Sequence, residues 1–415
     1  MIIVRPLYID KIKKLIDLDF IKVITGVRRA GKTYVLKQVE QELLERGAKR
    51  KQIIYMSFEG NEYRHLLDDT LLYQYLLDKI PNKKEKVYFL FDEIQEVNNW
   101  EIFINGLRVD FKSDIYVTGS NASLLSGELA SYITGRYIEI MVYPLSFQEF
   151  LDFKRDASFK NVVQYYNEYR KFGGFPSVVL ANDEQLKHDI LKGIYDGIVF
   201  RDIVMRYQVR DPDLLTKLSE YLFGAIGQLT SSNSIRGILL SEKRKEPSEE
   251  KTSISVNTID NYIKFLESSF MFYKTKRYDI RGKERLKSLG KYYSVDLGLR
   301  NNSLNKLNDD LGSQLENIVY LELLRRGYTV FVGNYNGKEI DFVASKNEEV
   351  VYIQVALEIP RSNNREAENL LYLPTGYSKK IIVEHMPDNK MIDGVPVVPI
   401  LEFLLEGYHN RDNLI

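Results

Sequence analysis

Residues 26–33 read Gly-Val-Arg-Arg-Ala-Gly-Lys-Thr, a glycine, four residues, then Gly-Lys-Thr. No other run limits the fold as much, because its chemistry works in one setting only. Ile21-Lys22-Val23-Ile24-Thr25 before it is short, apolar and β-branched. Thr33 to Glu45 after it sets Val35, Leu36, Val39, Leu43 and Leu44 at helical spacing, with no Pro or Gly. Strand, bend and helix in that order aim backbone N–H groups and a helix N-terminus at a phosphate. Gly26, Val27, Arg28, Arg29, Ala30 and Gly31 form the bend, and Tyr34 follows it. Lys32 brings charge to the β and γ phosphates, and the Thr33 hydroxyl can ligate Mg²⁺. Whether Arg28 or Arg29 touches phosphate or points outward is open at this stage.

Four more strands are expected downstream: Gln52 to Phe58, Val87 to Phe91, Ile115 to Thr118 and Tyr137 to Val142. Helical patterns near 68–79 and 99–112 separate them. Apolar strands alternating with helices predict a parallel sheet covered on both faces. The strand ending at Phe91 runs into Asp92-Glu93. There Asp92 can hold Mg²⁺ through water, and Glu93 can polarise a water attacking the γ phosphorus. The interval between the bend and this pair has room for an extra strand, so the pair is expected on a strand not adjacent to the first. Thr118-Gly119-Ser120-Asn121 ends the next strand. Asn121 and Ser120 are candidates for the γ phosphate or the water, with capping of a helix at Ala122–Leu125 as the alternative. Arg136, after Gly135, is a candidate for neutralising transition-state charge on a neighbouring subunit's nucleotide, and a plain surface arginine is the alternative.

These pieces, with Trp100, Tyr143-Pro144-Leu145-Ser146-Phe147-Gln148-Glu149-Phe150 and Gly173-Gly174-Phe175-Pro176, resemble an AAA+-like family of prokaryotic P-loop ATPases. The resemblance covers almost the whole chain, and the last two motifs are its specific part. It implies an α/β fold: a P-loop NTPase parallel sheet, then a helical and winged-helix-like region, then a small restriction-endonuclease-like α/β domain. It implies ATP and Mg²⁺ as cofactors and ATP hydrolysis as the activity. The domains are expected at 1–150, 151–300 and 301–415. Ser146 with Glu149 by themselves read as a capping box.

The middle segment is helix-rich. Helices over 160–172, 183–200, 213–228 and Ser231 to Leu240, then one from Ser255, precede a strand-like Phe270 to Tyr278 and a second strand Lys291 to Val295. Helices followed by a hairpin give the winged-helix order. Between Lys274 and Lys291 eight basic residues face only Asp279 and Glu284, with tyrosines interleaved. DNA is therefore a candidate partner through 274–291 and 255–267, against a solvated hairpin. The C-terminal elements match the restriction-endonuclease-like order, whose resemblance places metal-binding acids at Glu316 and Asp341. At the third position stands Gln354-Val355-Ala356, without carboxylate or lysine, so this domain is expected to be inactive.

Composition adds exclusions. With 58 basic and 58 acidic residues the chain is no generic polyanion binder. Cysteine is absent, which excludes disulfides and thiolate metal sites. No apolar run reaches membrane-helix length and no signal-peptide pattern opens the chain, so a cytoplasmic protein without membrane contact is expected. The expected function is a Mg²⁺-dependent ATPase working as a switch or motor on DNA, with a homo-oligomer as a candidate assembly. A metal-dependent nuclease and a slow nucleotide-sensing adaptor are the alternatives.

Overall fold

The apolar segment before the glycine bend, Ile21–Thr25 (β1), lies buried along its whole length in the computed structural model. The structure describes residues 3–80, 82–125, 135–154, 161–243, 254–282, 284–304, 310–359, 365–374, 376–385 and 389–407. The chain divides into two units. One comprises Met1–Tyr143 with Ser268–Phe270, and the other the remainder.

In the first unit α1 (Pro6–Lys13), β1 and α2 (Lys32–Glu45) are followed by β2 (Ile53–Ser57) and α3 (Asp69–Lys79). Then come β3 (Val87–Asp92), α4 (Trp100–Asp110), β4 (Ser113–Gly119) and β5 (Tyr137–Met141). The sheet is parallel, in the order β2-β3-β4-β1-β5. β4 therefore separates the strand bearing Asp92 from β1, as the spacing predicted. Helix α2 buries Val35, Leu36, Val39 and Leu43. Leu44, expected on that face, is exposed, because the helical stripe has turned past the sheet by that position.

The second unit opens with α5 (Phe147–Lys154), whose start is the expected capping box. The Ser146 amide donates to Glu149 Oε2 at 2.9 Å and the Glu149 amide to Ser146 Oγ at 3.2 Å. Phe147 and Phe150 of α5 pack on Tyr166 and Tyr169 of α6 (Val162–Phe172). The glycine motif that follows is explained by close approach. Gly174 O accepts from the Leu145 amide at 2.7 Å, and the Gly174 amide donates to Asp296 Oδ2 at 2.7 Å. A Cβ on Gly174 would lie 2.4 Å from Leu145 O, and one on Gly173, at φ +74°, would lie 1.9 Å from Asp296 Oδ1.

Short α7 (Pro176–Val179) and α8 (Glu184–Asp196) come next, and α8 continues as a π-helical stretch, Gly197–Met205. Then α9 (Pro212–Gly224), β6 (Leu229–Thr230), α10 (Ser232–Lys243) and α11 (Val256–Ser268) lead to the hairpin β7 (Phe272–Asp279) and β8 (Glu284–Ser294). Helix α12 (Leu297–Leu304) precedes α13 (Leu311–Arg325), β9 (Thr329–Tyr335), β10 (Lys338–Lys346) and β11 (Glu349–Ala356). Finally come α14 (Arg365–Leu371), β12 (Ser378–Val383), β13 (Met391–Ile392), β14 (Val395–Pro399) and α15 (Ile400–Leu404).

One nine-stranded sheet, β13-β14-β12-β11-β10-β9-β7-β8-β6, runs through this unit. β7 pairs in parallel with β9 through Arg277↔Val332. The hairpin is thus sheet on one side, and backbone pairing passes straight across residue 300.

Candidate functional site

Because β1, β2, β3 and β4 run in parallel, their C-terminal ends share one edge. The bend after β1 takes backbone values that glycine suits, Gly26 at φ +138° and Gly31 at φ +100°. A Cβ on Gly26 would lie 2.1 Å from Val142 O, so the chain passes too closely for any side chain there. Val27 and Ala30 are buried and anchor the bend. Arg5 holds it from behind, donating to Ala30 O at 2.8 Å and to Tyr143 O at 3.0 Å.

Lys32 is 4% exposed, and its ammonium donates to Gly26 O at 3.0 Å and Val27 O at 3.2 Å. Glu93 Oε1 lies 3.8 Å from the same nitrogen. The Thr33 hydroxyl donates to Asp92 Oδ2 at 2.9 Å, so the two expected Mg²⁺ residues meet. Asp92 is 1% exposed and also accepts from Thr118 Oγ1 at 2.6 Å and Ser57 Oγ at 3.3 Å. Burial pushes its pKa up. Thr118 pulls it back, the neighbouring Glu93 charge adds to the rise, and the net value stays above the carboxylate norm. Glu93 goes the other way. Burial pushes it up, but the Lys32 ammonium and the Gln95 amide outweigh that and leave it below its norm. Its backbone is left-handed, φ +55°, and Gln95 and Ser120 Oγ (3.2 Å) both donate to Oε2. A non-glycine residue in that conformation marks a constrained position.

Asn121 is fully buried at the same edge. Ser120, a candidate for the γ phosphate or the water with capping as the alternative, donates to Glu93. Arg28 pairs with Glu59 at 3.2 Å, Arg29 is exposed in the left-handed region (φ +67°), and Tyr34 is 58% exposed. Arg136 is not brought to the bend. It precedes β5, whose first residue pairs with Ile21 at the start of β1, and it donates to Asn105 Oδ1 at 3.2 Å. A strand length, roughly 15 Å, separates it from its own chain's bend.

Sequence reading missed Ser57, Glu59 and Arg5 as site residues, and named Thr118 and Gln95 without a role. Parallel strands finish at a common edge, so Ser57 and Thr118, as polar residues at strand ends, carried a usable signal. Gln95 followed the acidic pair in the motif Asp92-Glu93-Ile94-Gln95, and Arg5 carried no signal.

The nucleic-acid candidates fare unevenly. Lys274, Lys276 and Arg281 are exposed, as are Asn261 and Lys264 on α11, whereas Thr258 is half-buried. Lys291, counted in the basic stripe, is buried, because it turns toward carboxylates. Lys283 and the side chains of Arg285 and Lys287 lie outside the described residues.

The residues fit a nucleoside triphosphate with Mg²⁺: a glycine bend with amides at a helix start, a lysine, and a hydroxyl–carboxylate pair. No helix among the described residues is long and apolar enough to cross a membrane. A family model described as an AAA domain matches residues 19–151, and one described as a domain of unknown function (DUF8612) matches 163–311. An uncharacterized protein of Haemophilus influenzae is 45% identical over 403 residues, covering 97% of this chain and 98% of its own length. An uncharacterized protein of Methanocaldococcus jannaschii, MJ1544, is 33% identical over 392 residues, covering 89% and 84%. The solved structure of the Aeropyrum pernix ORC1 protein in complex with DNA matches 69% of this chain and 86% of its own at 12% identity. Its TM-score of 0.32 is too loose a likeness to carry an argument. On the domain matches and the full-length relatives, the chain belongs to an AAA+-like P-loop ATPase family in which the AAA domain is followed by a domain of unknown function.

Proposed function

We propose that the chain is a Mg²⁺-dependent ATPase that works as a nucleotide-driven switch or motor on DNA, in the cytoplasm. The observation that carries this reading is the 2.9 Å bond between Thr33 and Asp92, with Glu93 next in the chain and 3.8 Å from Lys32. Gly26, Val27, Arg28, Arg29, Ala30, Gly31, Lys32, Thr33 and Tyr34 form the nucleotide cradle in this reading. Lys32 exchanges the carbonyls of Gly26 and Val27 for phosphate oxygens. Thr33, with Asp92 through water, would hold the metal ion, and Mg²⁺ would supply neutralisation of the phosphate charge. Glu93 orients the attacking water and accepts its proton, and Asn121 steadies the γ phosphate. Arg136 serves a second copy of the chain in a homo-oligomer.

Residues 1–150 form the ATPase domain in this reading, 151–300 a helical and winged-helix-like region, and 301–415 an inactive restriction-endonuclease-like domain. DNA is contacted through 255–267 and 274–291. A slow nucleotide-sensing adaptor is the second reading, and one observation favours it. Glu93 is bound by Gln95 and Ser120 and lies near Lys32, a resting arrangement that holds turnover low until it is rearranged.

ATP turnover with and without single- and double-stranded DNA tests the proposal. Lys32→Ala is expected to lose nucleotide binding and Glu93→Gln to retain bound ATP. Unchanged turnover in Glu93→Gln overturns the assignment. Turnover and nucleotide affinity indifferent to DNA, with no salt-dependent DNA binding, select the adaptor.

A further inference from the structure

The carboxylates that the nuclease-like resemblance assigns to a metal, Glu316 and Asp341, are gathered around a lysine. Lys291 of β8 is 3% exposed. Its ammonium donates to Glu316 Oε1 at 2.8 Å, lies 2.9 Å from Glu339 Oε1, and is 3.9 Å from Asp341 Oδ1. Glu316 comes from α13, and Glu339 and Asp341 from β10, two residues apart on one face.

The chain supplies further donors to two of the three acids. Tyr293, two residues along β8 from Lys291, donates to Glu316 Oε1 at 2.6 Å. The Val355 amide donates to Asp341 Oδ2 at 2.8 Å. Burial pulls the Lys291 pKa down, but the charges of Glu316, Asp341 and Glu339 outweigh it and hold the ammonium protonated. Burial pushes Glu316 up.

Mg²⁺ asks for six oxygens at about 2.0–2.1 Å in near-octahedral order. Here the closest approaches are hydrogen-bond lengths to a nitrogen, and β11 contributes the neutral Gln354 and Ala356. Among the described residues no group of three or more His, Cys, Asp or Glu side chains is arranged to hold a metal ion. The residues do not fit the divalent ion that the fold resemblance implies.

We infer that Lys291 is a tethered cation standing in for a divalent ion among Glu316, Glu339 and Asp341, so that the cluster is a metal-free brace. The sequence motif lacks a lysine at Ala356, and the lysine facing the acids arrives from a different strand, earlier in the chain. This sets a job for the hairpin. β7 is hydrogen-bonded to β9 and β8 delivers the ammonium, so the hairpin is built into the C-terminal sheet while Lys274, Lys276 and Arg281 stay exposed. The inference is independent of the ATPase reading, since none of its residues belongs to the first unit.

Mn²⁺ binding followed by electron paramagnetic resonance on the nucleotide-free full chain tests it. Wild type and Asp341→Asn are expected to give the same titration. A stoichiometric Mn²⁺ in wild type that Asp341→Asn loses overturns the inference. Lys291→Met is expected to lower the melting temperature by about 5 °C or more, with Lys291→Met/Glu316→Gln recovering a large part of the loss. If Lys291→Met does not fold, recovery of folding in the double variant supports the brace. A Lys291→Met protein that melts with wild type overturns it.

Discussion

The two units each set a buried lysine near carboxylates, and the two lysines are held differently. Lys32 donates to two backbone carbonyls and stands 3.8 Å from Glu93, and the two carbonyl bonds are ones that phosphate oxygens can replace. Lys291 bonds Glu316 directly and lies 2.9 Å from Glu339, so its charge is spent inside the protein. A lysine whose present partners are weaker than a phosphate can serve as a ligand site. A lysine already neutralised by carboxylates is architecture.

The largest expected effect lies at the exchangeable site. Glu93→Gln should reduce kcat by about 10²–10⁴-fold while ATP still binds, measured by single-turnover hydrolysis and calorimetry. Equal loss of binding and turnover would make Glu93 a structural partner of Lys32, and the contrast with Lys291 would shrink. At the committed site, Lys291→Met should cost on the order of 3–5 kcal/mol in denaturant unfolding, because it leaves buried carboxylates facing each other. Lys32→Met should cost far less stability, which is the sharpest form of the comparison.

Asp296 supplies a pH test within the second unit. Burial pushes its pKa up to about 6, although the amides of Gly174 and Leu299 pull it down. A folded-state value above the unfolded one means that the stabilising contribution is full below the unfolded value near 3.8. It is lost as pH rises through about 6. Relative to Asp296→Asn, wild type should therefore lose up to roughly 3 kcal/mol between pH 4 and pH 7. An unchanged difference across that window would show Asp296 to be paired more strongly than its amides imply. The smallest effect is expected for Arg136→Ala. At dilutions where the protein is monomeric, its turnover should stay within about twofold of wild type, because the residue sits at the far sheet edge. A larger loss confined to concentrated protein would place it on a neighbour's nucleotide.

Much of the first unit was legible because its signals are local. The Gly26–Thr33 bend lies between a five-residue apolar strand and an amphipathic helix, and Asp92-Glu93 ends the next strongest apolar run. That the pair's strand is not adjacent to β1 was readable too, from the interval between the bend and that pair. Ser146 with Glu149 announced a capping box that the structure contains. The basic stripe was overcounted by Lys291, because counting charges cannot separate Lys274, on the open face of its strand, from Lys291, on the buried face. In a strand, the direction of a side chain follows from which neighbour the strand pairs with, and that is a long-range property.

By itself, then, the order of residues determined the glycine-rich bend, the acidic pair and the parallel sheet that carries them, since each depends on propensities and spacings within a few tens of residues. Only the tertiary structure decided which groups tune that pair, with Thr118 and Ser57 on Asp92 and Gln95 and Ser120 on Glu93. It alone placed Arg136 away from the bend and turned Lys291 from a surface charge into the cation at the centre of three acids. The reason is the same in each case: electrostatic partners are chosen by distance in space, and strand pairing brings together residues whose separation in the chain says nothing about their contact.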